Sequence, residues 1–120
     1  NGGSGNVYVI GSSNATGNYE STAQTANTSV NKISAVVTYT NASGTNTLNT
    51  DIVLQVSADN GSNWSNATLT AAGTFSTGVL QAVTNDIAVT AGTQLKYKIS
   101  FANQASGSKV ARINGVSLSY

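Results

Sequence analysis

A chain of 120 residues is the size of one domain with one core, and without cysteine that core has no disulfide to rely on. Five cations, Lys32, Lys96, Lys98, Lys109 and Arg112, face four carboxylates, Glu20, Asp51, Asp59 and Asp86, for a net charge of +1; this is no basic footprint, so nucleic acid is excluded as a partner. No apolar run approaches the roughly 18 residues of a membrane span, and no charged-then-apolar signal segment opens the chain.

The first five residues, Asn1-Gly2-Gly3-Ser4-Gly5, read as a flexible lead-in, and a single domain is expected over residues 6–120. Methionine is absent even from position 1, which implies a processed product or part of a longer polypeptide. Ser, Thr, Asn, Gly and small or β-branched apolar residues dominate, a mixture that suits short strands and tight turns far better than helices. In chain order the expected strands are Asn6–Ile10, Ser21–Val30, Asn31–Thr40, Asp51–Ser57, Trp64–Thr70, Val79–Val83, Gln94–Ala102 and Val110–Tyr120, separated by Gly, Asn and Ser clusters. Alternation assigns the core face within them: Ile33, Ala35, Val37 and Tyr39; then Ile52, Leu54 and Val56; then Leu95, Tyr97, Ile99 and Phe101. In the last strand Ala111 and Ile113 share one parity but Val116, Leu118 and Tyr120 the other, so a bulge that resets the register is expected at Gly115. No segment sustains a 3.6-residue apolar period. The expected fold class is all-β, an antiparallel sandwich of jelly-roll type with about eight strands.

The most specific local pattern is Ser57-Ala58-Asp59-Asn60-Gly61-Ser62-Asn63-Trp64. It resembles the Asp-box, Ser-x-Asp-x-Gly-x-Thr-Trp, of sialidases and many unrelated β proteins, with Asn63 in place of the Thr. Its physics is that of a structural turn: the Asp59 carboxylate accepts N–H groups across the turn, Gly61 takes a positive φ, Ser57 sits at the strand end, and Trp64 is either a core plug beneath it, the preferred reading, or an exposed platform. A sialidase would need an arginine cluster, and Arg112 stands alone. A calcium ion takes roughly 6–8 oxygen ligands, so the one carboxylate of Asp59 is too thin a site and no metal is expected.

Chemistry elsewhere is equally sparse. With no His and no Cys, and with four carboxylates spread over different expected elements, no catalytic residue and no cofactor are expected, and the chain reads as no enzyme; a glycosidase needs two carboxylates held roughly 5–10 Å apart. Lys96 and Lys98, two apart, read as a solvated strand face that keeps the sheet soluble. Six Asn-x-Ser/Thr sequons, at Asn14, Asn27, Asn41, Asn60, Asn63 and Asn66, are candidate glycosylation acceptors. Random placement of 15 Asn and 32 Ser plus Thr in 120 residues gives roughly four, so six is barely an excess.

From Asp51 to Tyr120 the chain resembles a domain type found near the C-termini of marine bacteriophage virion proteins. The residues that carry the likeness are Leu54-Gln55-Val56-Ser57-Ala58-Asp59-Asn60-Gly61, Ala67-Thr68-Leu69-Thr70, Ala91-Gly92-Thr93-Gln94-Leu95-Lys96-Tyr97-Lys98-Ile99 and the closing Val110–Tyr120. The resemblance implies a jelly-roll accessory domain on a tail, fibre or capsid surface that contacts host glycans. The run Ala111-Arg112-Ile113-Asn114-Gly115-Val116-Ser117-Leu118 is also similar to the last strand of carbohydrate-binding jelly rolls, although Asn114 stands where that family has Asp, which puts its structural calcium in doubt.

Three readings follow, all non-enzymatic and all placed outside the cell or on a virion surface. The first is a virion surface module for decoration or attachment, in contact with other virion subunits and with cell-surface glycans. The second is a self-assembling subunit of a filament or surface layer whose partners are copies of itself, with the N-terminal strand around Asn6–Ile10 adding to a neighbour's sheet edge. The third is a free carbohydrate-binding module.

Overall fold

The computed structural model describes residues 6–10, 17–103 and 110–120, with 6–10 and Gly17 as backbone alone. The expected lead-in at 1–5 and the sequon at Asn14 lie outside the described residues. Among those residues the secondary structure is eight strands: β1 (Asn6–Ile10), β2 (Gly17–Glu20), β3 (Gln24–Ser43), β4 (Ile52–Ser57), β5 (Ser65–Ala67), β6 (Thr70–Ser76), β7 (Val79–Phe101) and β8 (Val110–Ser119). The all-β, antiparallel class is therefore what the residues form. No helix of the described residues is long and apolar enough to cross a membrane.

Two strands are much longer than expected. The expected Ser21–Val30, from Gln24 onward, and Asn31–Thr40 are parts of one strand, β3, and Val79–Val83 and Gln94–Ala102, as far as Phe101, are the two ends of another, β7. They pair with each other from Gln24↔Leu95 to Tyr39↔Leu80, through register shifts between Thr25 and Val30, Val30 and Lys32, and Ile33 and Ala35. Bulges bend a ladder and raise its twist, so one pair of strands serves two groups. In the first group the order is β1, β8, β3, the start of β7, and β6. In the second, β2 and β4 flank the end of β7, since both pair with its residues 98–101, and β5 lies beyond β4. The local signal hid this continuity because the exposed run Asn27-Thr28-Ser29 breaks the alternation much as a turn does.

Two other boundaries were missed. Trp64–Thr70 is not one strand: β5 stops at Ala67, and β6 begins at Thr70 as an exposed strand that pairs back on β7 through the Thr77-Gly78 turn. β2 is too short and too polar, Gly17-Asn18-Tyr19-Glu20, to announce itself.

The expected core faces are the observed ones. Ile33, Ala35, Val37 and Tyr39, Ile52, Leu54 and Val56, and Leu95, Tyr97, Ile99 and Phe101 are all buried, together with Ala111, Ile113, Val116 and Leu118, and they form one cluster drawn from both strand groups. The reset in β8 is present: Thr38 pairs with Gly115 but Tyr39 with Ile113, so Asn114 is the extra residue beside Gly115.

Candidate functional site

The Asp-box-like turn is built as its residue types dictate. Ser57, fully buried at the end of β4, donates its hydroxyl to Asp59 Oδ1 at 2.7 Å and accepts the Gly61 N–H at 3.0 Å. Asp59 Oδ1 accepts the Asn63 N–H at 2.9 Å, and Oδ2 accepts the Asn63 side-chain amide at 2.7 Å. The Asn that replaces the usual Thr thus supplies a second donor to the same carboxylate. Asn60 and Gly61 hold positive φ, 62° and 83°. The turn is pinned to β7, where Asn60 N–H donates to the Gln94 carbonyl at 3.1 Å and Gln94 N–H to the Ala58 carbonyl at 2.9 Å.

These bonds, the Asn63 amide first, hold the Asp59 carboxyl below the usual carboxylate range. A lowered folded pKa means that the ionised group favours the folded turn at pH above its ordinary value of roughly 4, and that this support is lost as pH falls below it. The protection of the Asn63 main-chain amide, taken relative to its intrinsic exchange rate at each pH, is therefore expected to fall on acidification below that range, and Asp59→Asn to remove this fall. An Asn63 amide whose protection stays flat through acid would refute the role assigned to this carboxylate.

Trp64 corrects an expectation. It is half-buried and stands outside the core cluster: its ring lies against Gly61 and carries the Lys98 ammonium 4.6 Å above its centroid, a cation–π contact. A plug under the turn would need an inward position, but the lysines lie on the outer face of β7, opposite Leu95, Tyr97 and Ile99. Lys96 bonds to Glu20 of β2, which lowers the Glu20 pKa, and so fastens that short edge strand to β7. Across this face one row reads Glu20, Lys98, Gln55 and Asn66 on four adjacent strands, with Gln55 donating to Asn66 Oδ1 at 2.9 Å.

The sequons separate by environment. Asn60 and Asn27 are exposed, and Asn27 accepts a 3.3 Å bond from Tyr120 OH. Asn66 is exposed on the row just described, and the Asn63 amide is engaged by Asp59. Asn41 is half-buried, its Oδ1 receiving both the N–H and the side-chain amide of buried Asn46.

No family model, curated protein or solved structure matches the chain. Among the described residues no three of His, Cys, Asp and Glu gather to hold a metal ion.

Sequence reasoning missed a polar knot at one end of the second group. Asp51, fully buried, accepts the Thr47 N–H at 2.8 Å and the Asn103 side-chain amide at 2.6 Å. Asn49, at φ 68°, uses its amide as a strand would: Oδ1 accepts the Leu69 N–H at 2.7 Å and Nδ2 donates to the Leu69 carbonyl at 2.9 Å. Partners 20 and 52 residues apart leave no mark on a local pattern.

The remaining feature of functional weight is an edge. Among the described residues β1 ends the strand order and pairs with β8 alone, in five unbroken steps from Asn6↔Ser119 to Ile10↔Gly115. Its register sets Val7 and Val9 opposite Leu118 and Val116, both buried.

Proposed function

We propose that this chain is a non-enzymatic structural or adhesive module of an extracellular assembly, a jelly-roll sandwich of the kind carried on virion tails, fibres or capsid surfaces. The sandwich is supported by the single buried cluster to which both strand groups contribute. The observation that carries the function is the outer face of the first group. Ser34, Val36, Thr38 and Thr40 of β3, Gln81 and Val83 of β7, and Ser117 of β8, all only partly exposed, make a sheet surface that is uncharged between Lys32 at one end of β3 and Arg112, the partner of Thr40, at the other. Such a face wets through hydroxyls and amides and packs on a neighbour without desolvating ions. Sedimentation velocity over a wide concentration range tests this reading. Concentration-dependent association that is lost in Val36→Lys and Val83→Lys is expected, and a chain that remains monomeric at every concentration would remove its basis.

A second reading, a filament or surface-layer subunit joined to copies of itself by its N-terminal strand, is favoured by the position of β1 at the sheet edge. The glycan-binding reading now has a defined obstacle, because the Lys98 ammonium lies over the indole of Trp64 and a sugar stacking on that face would have to displace it. Titration with a panel of neutral glycans is expected to leave Trp64 fluorescence unchanged. A saturable response to any of them would revive a carbohydrate-binding module.

A further inference from the structure

We propose that β1 is exchanged between copies of this chain, and that its acceptor is the edge of β8 between Gly115 and Ser119. This deepens the self-assembly reading above and rests on it. What fits that edge is shown by the chain itself: Asn6–Ile10 lies along it in five consecutive pairs, and the same segment of a second copy would make the same backbone bonds. On its other side the same stretch of β8 pairs without interruption with Ser34–Thr38 of β3, so the acceptor is a regular ladder before β1 arrives.

The far edge of the group is a poorer acceptor. β6 is exposed throughout, but its pairing with β7 shifts between Ala71 and Thr74 and again between Thr74 and Ser76, and Gly73 sits at φ 89°. Such irregularities break the line of backbone groups that a new strand needs, a common protection of sheet edges. β2 and β5 offer only 4 and 3 residues.

Within one chain and between two chains β1 makes identical contacts, so their energies cancel. The balance is set by the effective concentration of the tethered strand, on the order of millimolar for a short linker, against the concentration of neighbours. Dilute chains keep β1 to themselves. Chains crowded on a surface or in a fibre exchange it, and a strand passed one way from each copy to the next gives an open, head-to-tail series.

The chain has no cysteine, which makes the test direct. Tyr8 pairs with Ser117, so the double variant Tyr8→Cys/Ser117→Cys is expected to close an internal disulfide when dilute, a check on the register itself. The single variants Tyr8→Cys and Ser117→Cys, concentrated together and oxidised, are expected to give the mixed dimer as the main disulfide product. If the double variant closes internally but the mixture yields no mixed dimer, the exchange is refuted. If Tyr8→Cys instead links to Thr74→Cys on β6, the acceptor is the wrong edge, yet self-assembly stands. If no pair links and sedimentation stays monomeric, both fall.

Discussion

Replacing Gly92 by Ala is expected to destabilise the fold by about 3 kcal/mol or more, at or beyond the upper end of the usual cost of overpacking. A β-carbon at position 92 would lie 2.1 Å from the Ala58 carbonyl oxygen and 2.8 Å from its carbon. Neither is the movable tip of a side chain. That carbonyl accepts the Gln94 N–H, so relief by moving it breaks the bond that pins the Asp59 turn to β7. Gly92 itself cannot retreat freely, because it pairs with Val30 inside the bent β3–β7 ladder. Gly73→Ala is the control: nothing lies within 4 Å of its added carbon, and the change meets only the φ of 89°, a strain of about 1–2 kcal/mol. Urea unfolding of the two variants separates close approach from backbone strain. Equal losses at both positions would show that the contact between β7 and the turn is not as close as described.

The second large effect is expected at Asp51. Asp51→Ala removes the acceptor of the Thr47 N–H and of the Asn103 amide from a site with no exposure, and each donor left without a partner there costs about 1–3 kcal/mol. A loss of about 3 kcal/mol or more in equilibrium unfolding is expected, with faster exchange of the Thr47 amide. Asp51→Asn keeps one oxygen but turns an NH2 toward one of the two donors, so a loss of about 2 kcal/mol is expected. The main-chain bonds from Asp51 N–H to the Thr47 carbonyl and from Ala102 N–H to the Asp51 carbonyl survive either change, which keeps the loop near its place and makes the comparison a test of the carboxylate. An Ala variant as stable as the parent would mean that water replaces the carboxylate at no cost.

Both effects depend on residues that local pattern did not single out, and the reason is physical. Alternation along one strand has a period of two and tells which side chains are shut away, because a sheet offers only two faces. It was therefore enough to read the class, the buried sets from Ile33 to Phe101, the parity reset at Asn114 and Gly115, and the turn at Asp59, where donor and acceptor lie within four residues.

Which strand lies beside which is a different kind of fact. The union of two expected strands into β3 and two into β7, the outward placement of Trp64 beneath Lys98, the burial of Asp51 against Asn103, and the seat of β1 at the edge of β8 each require partners that are distant in sequence. Chain composition and periodicity settled how each segment divides between water and core. Only the folded arrangement decided neighbours and edges, since pairing energy is collected between segments and no single segment carries its record.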